Sequence, residues 1–460
     1  MRVQSAILPA VTTIATTITV AAGRFAPGHL GELTQLVPFE MVDEALAETR
    51  RVQSRIRDLP SRVVVYLLLA ACLFEDVGYP GVWRKLTAGL QGIPFAAPTA
   101  GALSQARRRV GTGPVRFLFD LLRGPGAAAA AGGVRWHGLL VCAIDGTTMT
   151  AADSTANLGR FTKHGGHHGG SGYPLIRVMV LVACGTRTII DAVFGPASTG
   201  EVTYAAQLLR SLRAGMIVLL DRNFAAAALI AAIAGAEADV LVRVKNGRKL
   251  PVLRRYPDGS CLSLLGATHV RVIDCEITIS TIAGRRTGIY RLATTLLDHR
   301  GYPASELVRL YHERWEIETA YLEIKSTILG GRVLRARTPA GIDQEIYALL
   351  VTYQILRTAM ADATATVPGT DPDRASFTIA LHAARDQLIQ AAGIIAGTVI
   401  DLIGTIGRHI LASLMPSRRI RTSPRVVKRA ISKYVAKGPG INRTSYKATI
   451  AVNILASPGP

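Results

Sequence analysis

Residues 139–146, Leu139-Leu140-Val141-Cys142-Ala143-Ile144-Asp145-Gly146, form an apolar run that ends in a carboxylate and a glycine. The run is too short for a typical helix and stops at a turn signal, so it reads as a buried strand followed by a turn at Asp145-Gly146. Met216-Ile217-Val218-Leu219-Leu220-Asp221 repeats the pattern. Around these two runs, Leu175 to Ala183, Thr188 to Phe194 and Asp239 to Val244 read as strands. Glu201 to Arg213 and Phe224 to Ile233 read as helices. Strands and helices in this order predict an α/β domain with a largely buried sheet. In open α/β sheets, functional groups collect at the carboxyl ends of strands, where a carboxylate can face a crevice and hold a metal. Each aspartate also has a plainer explanation: Asp145 before Gly146 reads equally as a turn residue, and Asp221 as a helix N-cap. Two such positions in one sheet are harder to dismiss than one.

Working outward, the first 120 or so residues read as helical. Pro38-Phe39-Glu40 opens a run in which Met41, Ala45, Leu46 and Thr49 recur at helical spacing, and Arg62 to Phe74 reads as a buried helix. Ser104 to Arg109 starts another, with Phe117, Leu118, Leu121 and Leu122 in its continuation or in a following helix. Gly124-Pro125-Gly126, five alanines and Gly132-Gly133 form the clearest linker. The expected division is therefore a helical N-terminal domain over 1–123, an α/β domain over 134–345, and a mainly helical, basic C-terminal region over 346–460. Within the α/β domain, 246–295 has strand-like patterning with turns and reads as a β-rich insertion. A long helix is expected from about Ala304 to Leu329, stopped by Gly330-Gly331.

The chain of 460 residues has a formal net charge of +21 and a pI near 10.3, which suggests a polyanionic partner. Nucleic acid and an anionic membrane surface both fit that charge. No apolar run reaches the length of a membrane span. Ile7 to Ala22 resembles a signal peptide only weakly, being rich in Thr and lacking a Leu/Phe centre. The five cysteines are scattered with no CxxC pair, which fits a reducing cytoplasm better than a disulfide framework. After Asp401 there is no acidic residue. The tail from Pro416 to Lys447 carries Arg418, Arg419, Arg421, Arg425, Lys428, Arg429, Lys433, Lys437, Arg443 and Lys447.

A third carboxylate lies in Tyr311-His312-Glu313-Arg314-Trp315-Glu316-Ile317-Glu318, continuing to Lys325. On a regular α-helix, Arg314, Glu318 and Lys325 fall roughly −60°, −20° and −40° from Tyr311, so all four share one stripe. An acid among three phosphate-compatible groups suits a metal-dependent DNA enzyme: Glu318 for the metal, Arg314 and Lys325 for phosphates, Tyr311 for a phosphate or base. The alternative is a solvated face with an i,i+4 Arg314/Glu318 pair.

The Tyr-x2-Arg-x3-Glu-x6-Lys spacing resembles the signature of the insertion-sequence-four family of bacterial DDE transposases, and every position is matched. Asp145 in Ile144-Asp145-Gly146-Thr147 looks like the first aspartate of that family, and Asp221 in Leu220-Asp221-Arg222-Asn223-Phe224 is similar to the second. Pro27-Gly28-His29-Leu30 and Ala102-Leu103-Ser104-Gln105-Ala106-Arg107 also resemble the family. The likeness covers the chain up to about residue 345 and is weakest in the basic tail.

The resemblance implies a ribonuclease-H-like catalytic core, interrupted by the β-rich insertion, that catalyses strand cleavage at transposon ends and strand transfer into target DNA. It implies Asp145, Asp221 and Glu318 as catalytic metal ligands for two Mg²⁺ ions, with Mn²⁺ able to substitute. The implied partners are double-stranded DNA, as terminal inverted repeats and target, and a second copy of the chain on DNA. No membrane is implied, and the expected location is the cytoplasm, at the nucleoid. Two alternatives stand beside this: another two-metal nuclease on the same core, and a catalytically silent DNA-binding descendant. The intact acidic triad argues against the second.

Other motifs weigh less. The His164-Gly165-Gly166-His167-His168-Gly169-Gly170 stretch reads as a flexible loop beside the site rather than a zinc centre, for want of regular ligand spacing. Trp315 reads as core rather than base-stacking. Arg107, Arg108 and Arg109 read as a DNA-contacting face only because the whole chain is basic.

Overall fold

The computed structural model describes residues 17–19, 24–88, 94–124, 135–163, 172–391 and 404–416, with short segments between 421 and 455. The linker at 125–134, the histidine–glycine loop at 164–171, most of Ile7 to Ala22 and most of the basic tail lie outside the described residues.

A small antiparallel pair, β1 (Thr17–Thr19) with β2 (Phe25–Pro27), leads into five helices: α1 (Phe39–Glu48), α2 (Ser61–Leu73), α3 (Tyr79–Leu86), α4 (Ala100–Val110) and α5 (Gly113–Leu122). The α2 sequence is almost wholly apolar, and nearly every one of its side chains is buried, so this helix forms the centre of the helical layer. Gly111, at φ +68°, separates α4 from α5, a backbone region that L side chains rarely adopt.

The sheet follows: β3 (Arg135–Trp136), β4 (Leu139–Thr150), the short α6 (Thr155–Leu158), β5 (Leu175–Ala183), β6 (Ile189–Pro196), α7 (Glu201–Gln207), β7 (Met216–Leu220), α8 (Ala227–Gly235) and β8 (Asp239–Val244). Then come β9 (Arg254–Arg255), β10 (Cys261–Leu265), β11 (Thr268–Thr281) and β12 (Gly284–Thr294). The strands form one 11-stranded sheet in the order β6-β5-β4-β7-β8-β12-β11-β10-β9, with β3 on β4 and a late strand on β11. The stretch read as an insertion is indeed β-rich, and it extends the same sheet, because β12 pairs antiparallel with β8. Alternation along β4 divides the core. Val141 and Ala143 face the helical layer, and Leu140, Cys142 and Ile144 face α7 and α8.

The chain continues through α9 (Ala304–Leu310), a 3₁₀ turn (Tyr311–Arg314), α10 (Trp315–Leu322) and a π-helical turn (Glu323–Ile328). The expected single helix over 304–329 is therefore continuous but overwound and then underwound. Gly330 and Gly331, at φ +56° and +71°, end it. Next are α11 (Pro339–Ala365), α12 (Phe377–Ala391) and α13 (Thr405–Ala412). The boundary expected at 345/346 falls inside α11, whose buried residues share one core with α2 and α5. The tail is less helical than expected. It holds β13 (Arg421–Thr422), β14 (Val426–Val427), β15 (Val435–Ala436), β16 (Tyr446–Lys447) and β17 (Thr449–Ile454). β17 pairs antiparallel with β11, continuing the edge where β10 leaves off. Its three apolar residues on alternate positions could have flagged a strand.

No helix among the described residues is long and apolar enough to cross a membrane. All five cysteines are buried and free.

Candidate active site

β4 and β7 run parallel, in register from Leu140↔Met216 to Ile144↔Leu220. Asp145 on β4 and Asp221, the first residue past β7, come next, so the pairing sets the two residues level where β7 ends. From β4 the chain turns to β5 on one side, and from β7 it turns to β8 on the other. The aspartates thus stand at a topological switch point, where open sheets leave a crevice.

The two differ in setting. Asp221 leaves the sheet and caps the 3₁₀ turn at Arg222–Phe224, its Oδ1 accepting the Arg222 N–H at 2.7 Å. The expected turn at Asp145-Gly146 does not form. β4 runs on to Thr150, and Asp145 sits mid-strand opposite Val180. Partnering by β5 along the whole length keeps it extended. Gly146 is needed for a different reason, since a Cβ there would lie 2.4 Å from the Met179 sulfur. Asp145 Oδ1 accepts the Gly146 N–H at 2.8 Å. Burial raises the Asp145 pKa to about 6, and the negative charges of Glu318 and Asp221 add to the rise against the pull of Gly146 N–H and Arg314.

The segment 311–325 brings its four signature residues to this edge. The Tyr311 hydroxyl donates to the carbonyl of Leu220 at 3.0 Å. Arg314 lies between carboxylates, 3.1 Å from Glu318 and 3.8 Å from Asp145. Burial disfavours the Arg314 charge, but Tyr311, Glu318, Asp221 and Asp145 outweigh it and raise its pKa. Lys325 Nζ donates to Thr147 Oγ1 at 3.1 Å. The changes of winding therefore preserve what the regular helical projection proposed.

Three contacts escaped the sequence reading. Thr147 receives Lys325. Tyr321, three residues past Glu318, hydrogen-bonds through its hydroxyl to the Asp145 carbonyl and docks α10 on β4. Behind the helix, Arg187 pairs with Glu316 at 2.5 Å, with Glu323 at 3.1 Å and with Asp373, while Arg357 pairs with Glu323. The i,i+3 spacing could have shown Tyr321. Nothing local reveals the Arg187 cluster, which joins a strand turn, two helical segments and a distant loop.

Trp315, expected in the core, is 52% exposed. It lies on the outer face of α10, because Glu316 and Ile317 take the inner one. Of the three consecutive arginines, only Arg108 faces solvent. Arg107 lies over the Tyr79 ring, and Arg109 donates to the Leu59 carbonyl at 2.7 Å. The histidine–glycine loop lies outside the described residues.

The edge gathers three hard oxygen donors, one of them with a pKa raised first by burial and then by its carboxylate neighbours, a set suited to a divalent cation. Among the described residues no three His, Cys, Asp or Glu side chains stand close enough to cage a metal as they are, and Arg314 is interposed.

Residues 27–120 match the family model described as insertion element 4 transposase N-terminal, and residues 136–355 match the transposase DDE domain. The transposase InsG for insertion sequence element IS4 of Escherichia coli (strain K12) is 27% identical over 407 residues, covering 86% of this chain and 91% of that protein. A cryo-EM structure of a piggyBac transposase synaptic complex with hairpin DNA superposes with a TM-score of 0.44 at 11% identity, covering 87% of each chain.

Proposed function

We infer the chemistry of the crevice from one premise: this chain belongs to the insertion-sequence-four family of DDE transposases and is a DNA transposase, a metal-dependent enzyme of strand cleavage and strand transfer. On that premise Asp145, Asp221 and Glu318 are the catalytic metal ligands, and Tyr311, Arg314 and Lys325 hold DNA phosphates. The observation that carries the assignment is the level placement of the two aspartates by the β4–β7 register, with Glu318 joined to Asp145 through Arg314. The core is ribonuclease-H-like, a reading supported by the β6-β5-β4 antiparallel meander continued by parallel β7 and β8.

Two Mg²⁺ ions, or Mn²⁺ in their place, would supply Lewis-acid activation of the attacking and leaving oxygens. The chain itself positions. β4 carries Asp145 and the end of β7 places Asp221, and Tyr321 and Tyr311 tie the helix to the middle of β4 and the end of β7. Arg314, held between Glu318 and Asp145, is the cation at this edge that would meet a DNA phosphate. Lys325 lies beyond Glu318 along β4, placed to hold the next stretch of backbone. The partners are double-stranded DNA, as terminal inverted repeats and target, and a second copy of the chain. The protein works in the cytoplasm, at the nucleoid. The division into 1–123, 134–345 and 346–460 is functional, with DNA recognition contributed by the first segment and charge by the last. Arg107 and Arg109 serve as structural supports, which leaves Arg108 as the DNA contact of that trio.

The test is Mg²⁺-dependent nicking of a labelled end fragment, with binding measured in parallel in Ca²⁺. Glu318→Gln, Asp145→Asn and Asp221→Asn each abolish nicking and leave binding intact or stronger, because an anion is removed from a phosphate-facing crevice. Wild-type nicking by Glu318→Gln refutes the assignment.

A further inference from the structure

The segment bearing Glu318 is docked along β4 step by step. Tyr321 bonds to the Asp145 carbonyl, Lys325 to Thr147 at 3.1 Å, and the Leu334 N–H to the Thr150 carbonyl at 2.9 Å. Past the last step, the loop before α11, the first turn of α11 and the end of α4 enclose a cleft of about 390 Å³. Four arginines line it: Arg107, Arg108, Arg335 and Arg337. Two of them build the wall. Arg107 and Arg335 lie 3.8 and 5.5 Å from the Tyr79 ring centroid, and Arg335 donates to the carbonyls of Ala71 and Phe74, each at 3.0 Å. Buried Nε of Arg107 and Nη1 of Arg335 make no hydrogen bond among the described residues. The other two, Arg108 and Arg337, are exposed. Nearby acids are engaged elsewhere. Glu345 accepts the backbone N–H groups of Arg335 and Ala336, both at 3.0 Å, and Asp343 pairs with Arg160 at 2.7 Å. The positive end of the 27-residue α11 opens into the same space.

We propose that this cleft binds the backbone of the duplex being cut, contacting a phosphate of the complementary strand about six base pairs from the scissile one. The proposal rests on the transposase reading and adds a register to it. Ala151 bridges Leu334 at the mouth of the cleft. From Asp145 to Ala151 the extended chain covers roughly 20 Å, at ~3.3 Å per residue. B-DNA rises ~3.4 Å per base pair along its axis, so ~20 Å is about half a helical turn, after which the complementary strand faces the same side. A duplex lying along β4, with its reactive phosphate at Asp145 and the next contact at Lys325, therefore presents a phosphate of its complementary strand to Arg108 and Arg337. Arginine suits such a contact because its fork grips phosphate oxygens bidentately.

The experiment uses the full chain and a labelled duplex taken from the DNA that flanks its coding sequence, titrated in Ca²⁺ at several salt concentrations. Arg108→Ala/Arg337→Ala lowers the log–log salt slope by about 0.9, the value for one lost phosphate contact. The charge-keeping pair Arg108→Lys/Arg337→Lys retains the slope. A methylphosphonate scan with wild-type protein needs no variant. One neutral linkage on the complementary strand, about six base pairs from the nick, weakens binding, and in the alanine double variant the same linkage weakens it no further. An unchanged slope in a folded double variant overturns the proposal, as does a scan with no interference in that region. So does displacement of inorganic phosphate from the cleft without any methylphosphonate effect, which marks a small-anion site. If wild-type protein fails to nick the same duplex in Mg²⁺, the parent reading has failed and not the cleft alone.

Discussion

On the outer face of the segment from Tyr311 to Ile328, Arg314 stands between Asp145 and Glu318. On its inner face, Glu316 and Glu323 hold Arg187 and Arg357. The residue types are the same, and the surroundings are opposite. Glu318 is 41% exposed and Asp145 23%, whereas Glu316 and Arg357 are 1% and 2% exposed. The outer charges are incompletely matched, with a carboxylate whose pKa is pushed up to about 6. The inner set of two arginines and three carboxylates is dry and closed by the Tyr353 hydroxyl, which donates to Glu323 at 3.1 Å. Burial, and then neighbouring Arg357, lower the Arg187 pKa, so that set holds its charges only because they face one another. The outer face keeps charge available to a cation and DNA. The inner face uses charge to fix the helix in position and rotation.

The comparison is most sharply tested at Glu318. Glu318→Gln cuts Mg²⁺-dependent nicking on the order of 10³-fold, measured in single turnover. It leaves stability to denaturant within about 1 kcal/mol, because an exposed pair contributes little. Arg187→Met reverses the pattern. It strands Glu316, Glu323 and Asp373 in a dry interior and costs about 3–5 kcal/mol in urea unfolding. Adding Glu316→Gln recovers part of that loss, and strict additivity of the two changes sinks the idea of one coupled cluster. At Lys325 the expected effect is smaller. Lys325→Ala weakens end-DNA binding about tenfold at moderate salt and lowers the salt slope by about 0.9, whereas Glu318→Gln leaves that slope unchanged. The smallest effect is on melting. Ca²⁺ at ten times its dissociation constant stabilises wild-type protein by roughly 1.4 kcal/mol. Asp145→Asn should lose that increment and Arg187→Met should keep it, since the proposed metal ligands lie on the outer face.

The asymmetry also explains what the sequence disclosed. Outer-face residues announce themselves locally, with Asp145 and Asp221 each ending an apolar run and Tyr311, Arg314, Glu318 and Lys325 set at helical intervals. Arg187 sits in a tight turn at φ +57°, and no pattern around it points to partners more than a hundred residues away. Trp315 was misread for a related reason. Hydrophobicity suggested burial, but the inner face was already taken by Glu316, a residue that composition alone would place in water. β17 was obscured by a basic tail, and its partner β11 is far away in sequence.

The sequence alone determined strands β5, β7 and β8, the buried helix α2 and the residue types at the sheet edge, because periodicity and apolar runs are local consequences of backbone geometry. The tertiary structure decided the rest. It carried β4 straight through Asp145-Gly146 because β5 partners the whole strand. It set Asp145 beside Asp221 by a parallel register, and it changed the helical winding between Tyr311 and Ile328. It also turned Glu316 and Glu323 inward to meet Arg187. Each of these depends on which distant segment lies alongside, and a buried charge or an unbroken strand is stable only once that neighbour supplies its hydrogen bonds.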